Sequence, residues 1–179
     1  MTEQAYLKDS VIQLQKLKSQ VDRAIAQVKD EHLFSKLDPE SNSIAIIMKH
    51  LVGNMRSRWT NFLTSDGEKP GRDRDAEFES HAEDTRERIL ACWEDGWNRV
   101  FATIKGLKPE DLARTITIRG EPHSVLEAIN RQMTHYAAHV GQIVFLAKHY
   151  AGTDWRTLSI PRGESKAFDV SKNGEQLSI

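Results

Sequence analysis

The stretch HYAAHVGQI, residues 135–143, places two histidines four residues apart in a segment with helical periodicity. Plotted at about 100° per residue, this helix collects most of its large apolar side chains on one face. His135 and His139 lie near the middle of that face, so the pattern predicts that both point towards the core. The face comprises Val125, Ala128, Ile129, Gln132, His135, Tyr136, His139, Gln142, Ile143, Leu146 and Tyr150.

A core face with two histidines and two glutamines must satisfy many polar atoms away from water. A metal ion between the imidazoles would meet much of that need, because the i, i+4 spacing brings two rings within reach of one ion. The alternative is that the two histidines merely share a helix face. The spacing alone is weak evidence, since the H-E-x-x-H metalloproteases combine it with a glutamate that is absent here.

Three earlier segments also have helical periodicity, with an apolar stripe on each. A charged stretch, TSDGEKPGRDRD at 64–75, separates the second of these segments from the third and is predicted to be an exposed loop. Ser43 or Asn42 is a candidate N-cap for the second helix. The three helices are predicted at residues 3–30, 43–63 and 76–105.

The last helix has the clearest start signal of the four. Ser124 and Glu127 have the spacing of a capping box, and the helix is predicted to reach about Tyr150. Before it, residues 115–122 read TITIRGEP, which indicates a short extended excursion or a small hairpin. The sequence therefore predicts an all-α four-helix bundle over residues 1–151, followed by an irregular arm over 152–179.

A metal site needs a third ligand, and the second helix offers His50. It lies on a polar stripe with Asn54, Ser57 and Asn61 that flanks the apolar residues of this helix. Such a stripe is expected to line a polar cavity in a bundle, although His50 could also be a boundary histidine bonded to water. The other histidines are expected at the surface or at caps: His32, His81, His123 and His149.

Three imidazoles without a fourth protein ligand leave a coordination position open, which is the pattern of a catalytic site. Imidazole suits Zn, Ni, Cu or Fe, and we expect Zn or Ni. Gln142, Asn54 and Tyr136 are candidate partners that would orient the imidazoles.

Composition excludes several other classes of function. The 179 residues carry a net charge of -1, so a basic face for nucleic acid is not expected. No apolar run is long enough to span a bilayer, and the N-terminus does not resemble a signal peptide. Cys92 is the only cysteine; we expect it to be a small core residue beside Trp93, in a protein of the reducing cytoplasm.

The segments NSIAIIMKHLVGNMRSRW around His50 and NRQMTHYAAHVGQI around His135 and His139 resemble the DinB/YfiT superfamily. The resemblance covers about residues 1–151 and is nearest to an uncharacterised DinB-like branch. Typical members are bacterial four-helix bundles that bind a divalent metal through one histidine on the second helix and an H-x-x-x-H pair on the fourth. The resemblance thus implies His50, His135 and His139 as metal ligands.

Several members of that superfamily are metal-dependent S-transferases that use bacillithiol, in which the metal binds the thiol as thiolate. The leading hypothesis is therefore a thiol transferase or related detoxification enzyme acting on a small molecule. A metal-dependent hydrolase is the first alternative, and a non-catalytic binding or scaffold protein is the second. A homodimer is the expected oligomer. Helix-spaced tryptophans could contribute to a partner surface but are more often core residues: Trp59, Trp93, Trp97 and Trp155.

Overall fold

A computed structural model describes residues 2–167 of the chain. This part is mostly helical, with 63% of it in helices, and it contains five α-helices and one two-stranded sheet. The predicted largely α-helical class is confirmed. The α-helices are α1 (Thr2–Ile25), α2 (Asp30–Phe34), α3 (Ile44–Trp59), α4 (Arg86–Gly106) and α5 (Val125–Ala151).

The four long helices surround one apolar core. α1 packs against α4 and α5, and α3 packs against the same two helices. Three of the four tryptophans are buried in this core, so their helical spacing reflects packing, whereas Trp155 is only half-buried. Cys92 is half-buried at the edge of the core. The largest fully buried side chains include Leu14, Met55, Trp93, Trp97, Ile129 and Tyr136.

The first helix is shorter than predicted, because α1 ends at Ile25 and a separate short helix, α2, begins at Asp30. The guanidinium of Arg86, at the start of α4, donates to the carbonyl oxygens of Ile25 and Val28 and pairs with Asp30. These bonds satisfy carbonyl groups that a continuing helix would have bonded internally. The prediction of one helix over 3–30 was wrong because a contact from α4 terminates it.

The third predicted helix begins ten residues late. Residues 76–85 hold only a 3-10 turn, Ala76–Phe78, and α4 starts at Arg86 with the Thr85 hydroxyl accepting from the Arg88 amide at 3.3 Å. The preceding loop is not simply exposed, since Gly67 is buried and the Arg72 side chain is 6% exposed. The late start of α4 and the burial of the loop have one cause: the segment that contains the 3-10 turn packs onto α3.

The other boundaries follow the sequence signals closely. Ser43 caps α3 by accepting from the Ile46 amide at 3.2 Å, although α3 ends at Trp59 rather than 63. Strands β1 (Thr115–Ile118) and β2 (Glu121–Ser124) form the predicted antiparallel hairpin, with Thr115 opposite Ser124. Its two turn residues, Arg119 and Gly120, both have positive φ, as a type I′ turn requires. The Ser124–Glu127 capping box is present, and α5 ends one residue after Tyr150.

The beginning of the C-terminal arm lies against the bundle. After a 3-10 turn, Gly152–Asp154, the backbone of Arg156 exchanges two hydrogen bonds with the Gln27 side chain, at 2.7 and 3.1 Å. The predicted irregular arm extends to residue 179, and its part beyond 167 lies outside the described residues. Within residues 2–167, no helix is both long and apolar enough to cross a membrane.

A buried hydroxyl on α5 provides a test of the packing between α3 and α5. Tyr136, 0% exposed, accepts from Trp59 Nε1 at 2.8 Å and donates to Asn54 Oδ1 at 3.1 Å. We expect Tyr136→Phe to lower the free energy of unfolding of the metal-free protein by about 2–3 kcal/mol, because two buried polar groups lose their partner. Urea denaturation measures this difference.

The control is Tyr150→Phe, which removes one half-buried hydroxyl bond to the Ser35 carbonyl, 3.0 Å long. We expect it to cost about 1 kcal/mol or less. Equal losses in the two variants would show that the Trp59–Tyr136–Asn54 network does not stabilise the core.

Candidate metal centre

The structure brings His50, His135 and His139 together from two facing helices. His50 lies in the middle of α3, and the other two histidines lie one turn apart on α5. One nitrogen from each ring lies within 4.8 Å of the others. His50 Nε2 and His135 Nε2 lie 3.3 Å apart. These three residues form a cluster that could hold a metal ion.

Two of the three imidazoles are oriented by hydrogen bonds from their other nitrogen. His50 Nδ1 lies 2.9 Å from Glu77 Oε2, and His139 Nδ1 lies 2.8 Å from Gln142 Oε1. Carboxylate and amide oxygens only accept, so each Nδ1 carries the proton and donates it. The lone pair of each Nε2 is then available to a metal, which is the usual arrangement of a metal-binding histidine.

The protonation states also suit a cation. Burial, together with the nearby His139 and His50, lowers the pKa of His135 to about 4. Burial likewise lowers the pKa of His139, against the opposing effect of its bond to Gln142. Both imidazoles are therefore neutral at pH 7, the form that binds metal without first releasing a proton.

Glu77 is held as a carboxylate by its own partners. Burial alone would raise the pKa of its carboxyl, but the hydrogen bonds from His50 and Arg72 outweigh this and lower it. Arg72 donates from Nε at 2.8 Å and from Nη2 at 2.9 Å, one bond to each oxygen. The ionised Glu77 is thus a fixed acceptor, which determines the tautomer of His50.

The geometry fits a divalent ion with three imidazole ligands. Zn–N bonds of about 2.0–2.1 Å place tetrahedral ligand atoms roughly 3.3 Å apart. His50 and His135 already have that separation, 3.3 Å. The widest gap in the cluster would have to close by about 1.5 Å, a movement that side-chain torsions can supply. A fourth coordination position would remain for water or a ligand.

The structure corrects where the α5 histidines lie on their helix. The most buried line of α5 runs through Gln132, Tyr136, Val140, Ile143 and Ala147, whereas His135 and His139 are half-buried beside it. The prediction that the two histidines lie mid-face was therefore wrong. Gln142 is exposed rather than part of the core, although it does orient His139 as proposed.

Asn54 and Tyr136, the other candidate partners, bond to each other rather than to the histidines. His81 and His149 are exposed, and His32 and His123 are half-buried. Within residues 2–167, none of these four histidines joins the cluster, as expected.

Sequence reasoning missed Glu77, Arg72 and Gly53. The helix predicted over 76–105 places Glu77 in its first turn, whereas Glu77 lies in the separate 3-10 turn that packs against α3. The available signal was Gly53, an isolated glycine in a helix, three residues after His50. A Cβ at this position would overlap with the Glu77 carboxylate, so glycine permits the close approach that brings Glu77 to His50.

Gly53→Ala is therefore expected to weaken metal binding without weakening helix α3. The added methyl group must displace the Glu77 carboxylate, which frees the His50 ring, and we expect the affinity for Zn²⁺ to fall about 10–100-fold. Alanine should favour α3 itself by up to about 1 kcal/mol. Competition with a chromophoric zinc chelator measures the affinity.

The matched control is Gly141→Ala, which makes the same change within α5, beside His139, with no atom within 4 Å of the new Cβ. It should leave zinc affinity unchanged. Glu77→Gln, which keeps an acceptor but removes the charge, should lie between wild type and Gly53→Ala. Unchanged affinity in both Gly53→Ala and Glu77→Gln would show that Glu77 does not orient a ligand.

Comparison with known proteins identifies a family but supplies no activity. No curated protein matches the sequence at a significant level. A family profile described as "Protein of unknown function (DUF1572)" matches residues 1–164, which is nearly the whole chain. The chain therefore belongs to this family of proteins of unknown function, DUF1572.

Proposed function

We propose that this protein is a DinB/YfiT-type metalloprotein that binds a divalent ion, Zn or Ni, through His50, His135 and His139 and uses it as a thiol S-transferase. The observation that carries the proposal is the convergence of three imidazole nitrogens within 4.8 Å from two facing helices. The ring of contacts α1–α5–α3–α4 supports the four-helix arrangement typical of that superfamily.

The accessibility of the cluster supports catalysis over a purely structural site. His50 is 5% exposed, but His135 and His139 are only half-buried. A cavity of about 170 Å³ is lined by His50 and His135, and a second of about 500 Å³ is lined by Gln142, the partner of His139. Two of the three imidazoles thus border a cavity, and the residue that orients the third borders another, which supports a site that a ligand can reach.

In the proposed reaction, a low-molecular-weight thiol such as bacillithiol attacks an electrophilic carbon. A divalent ion supplies one effect when bound: it lowers the pKa of a thiol that coordinates it. The sulfur forms the new C–S bond, the leaving group departs with the bonding electron pair, and the thiol proton passes to solvent. Glu77 and Gln142 contribute by holding the His50 and His139 rings in the orientation that presents Nε2.

The contacts of the site support a transferase better than they support a hydrolase. A hydrolase needs a general base that is free to take a proton from water. Glu77 is the carboxylate nearest the imidazoles by its bonds, and both of its oxygens are engaged by His50 and Arg72. It is a positioning residue in this proposal.

The proposal also includes a homodimer that acts in the cytoplasm on a small molecule, without nucleic acid. Phe145 on α5 is 65% exposed, and Leu126 on the same helix is 37% exposed. Phe145 is the candidate centre of a contact between two copies through α5, since two-fold pairing is the commonest arrangement of homo-oligomers.

Metal analysis tests the first half of the proposal. Purified wild-type protein, reconstituted with Zn²⁺ or Ni²⁺ and desalted, should retain about one ion per chain. The double variant His135→Ala/His139→Ala should retain almost none, because it loses two of three ligands. The control His81→Ala/His149→Ala removes two exposed histidines outside the cluster and should match wild type. Equally little metal in all three proteins would refute the site.

Thiol conjugation tests the second half. We expect wild-type protein with bound metal to accelerate the conjugation of monobromobimane to bacillithiol, and we expect chelation or the double variant to abolish the acceleration. If no thiol in a panel reacts in a metal-dependent way, the transferase assignment is wrong while the metal site stands. Metal-dependent turnover of ester or amide substrates without any thiol would instead identify a hydrolase.

A further inference from the structure

The cavity beside His50 and His135 is lined chiefly by arginines. Its volume is about 170 Å³, which is too small for a whole drug-sized ligand but sufficient for one charged group of a ligand. No acidic residue is among the side chains that line it. The residues that line the cavity include five arginines: Arg58, Arg72, Arg74, Arg119 and Arg131.

The positive charge of this cavity is only partly neutralised. Glu68 pairs with Arg58 at 3.0 Å, with Arg119 at 2.9 Å and with Arg72 at 3.6 Å, and Glu77 pairs with Arg72. Within residues 2–167, neither Arg74 nor Arg131 makes an ion pair. The guanidinium groups therefore outnumber the carboxylates that share them, and the cavity attracts anions.

A second, independent observation also points to a ligand. Five buried side-chain polar atoms in residues 2–167 have no hydrogen-bond partner, and three of them belong to residues that line this cavity: Arg58 Nε, Gln132 Oε1 and His135 Nδ1. Gln132 is 2% exposed, so its amide group is removed from bulk water. Unpaired buried polar atoms are costly, and their concentration at one cavity indicates that a bound group satisfies them.

We propose that this cavity binds the carboxylate or phosphate group of an acidic small molecule, beside the histidine cluster. Guanidinium N–H groups donate to the anionic oxygens, a geometry that suits both carboxylate and phosphate. Arg58 Nε–H is a further donor, and His135 Nδ1 is one in the tautomer that carries its proton on that nitrogen. The Gln132 amide can present either its oxygen or its NH₂ group after rotation, so it accepts from a neighbouring hydroxyl or donates to the anion.

Anion binding in this cavity stands by itself, but the substrate class inferred from it rests on the proposed function. His50 and His135 line the cavity and also belong to the metal cluster, so an anion held there would keep the rest of its molecule close to a metal bound by these residues. The substrate class is then an acidic molecule, with its charged end held by arginines and its reactive end near the metal.

Calorimetric titration of metal-free protein tests the cavity separately from the metal. Inorganic phosphate and glutarate are titrated in turn, so that the two arms distinguish phosphate from carboxylate recognition. The test variant is Arg131→Gln, because Arg131 is exposed and makes no structural ion pair. The control is Lys148→Gln, an equal loss of charge on α5 about 25 Å along the helix axis.

We expect at least one of the two anions to bind wild-type protein, and to bind Arg131→Gln about fivefold to tenfold more weakly. Lys148→Gln should match wild type. Two results would overturn the inference: no binding of either anion at millimolar concentration, or equal affinity in wild type and Arg131→Gln.

A parallel titration of zinc-loaded protein separates this inference from the proposed function. Binding that appears only with zinc and ignores Arg131→Gln would place the anion on the ion; the arginine cavity would then be refuted while the metal site stands. Conversely, anion binding by metal-free protein that depends on Arg131 supports the cavity even if the metal analysis fails.

Discussion

The hydrogen-bonded chain Arg72–Glu77–His50 is the constraint on which the rest of the site depends. The Glu77 side chain is 9% exposed and the Arg72 side chain 6% exposed, so both charges have lost most of their hydration. A buried carboxylate without partners would cost several kcal/mol, whereas here two guanidinium N–H groups and one imidazole N–H bond to it. These bonds hold the segment that carries both residues against α3.

The polar stripe of α3 extends this attachment along the helix. Ser57 Oγ donates to the Gly67 carbonyl at 2.8 Å and accepts from the Lys69 amide at 3.0 Å, and Arg58 also donates to Gly67. From there, Asp66 accepts from the two turn amides of the β-hairpin, Arg119 and Gly120, at 2.9 Å each. The loop thus links α3 to the hairpin that immediately precedes α5. This linkage joins the two helices that carry the histidines and brings the arginines together.

Local signals in the sequence accounted for much of the fold. The Ser43 cap, the Ser124–Glu127 capping box and the hairpin with its Arg119-Gly120 turn are each determined within a few residues, because their hydrogen bonds join near neighbours. The end of α1 and the late start of α4 were mispredicted for the opposite reason. Arg86 ends α1 from another helix, and the 3-10 turn at Ala76–Phe78 interrupts an apparently helical pattern by packing against α3.

Periodicity and residue type were enough to predict the helical class and the principal helix caps, and together with the family resemblance they grouped His50, His135 and His139. How the three rings are held depends instead on contacts between segments that are distant along the chain. Glu77 lies 27 residues from His50 along the chain and reaches it through a loop whose course no local pattern describes. The tautomer of His50 and the need for glycine at position 53 follow from that long-range contact, and the arginine-lined cavity follows from the same loop's linkage to the hairpin. A buried charge needs partners that are close in space, and these can come from distant parts of the chain, so the spacing of residues in the sequence does not identify them.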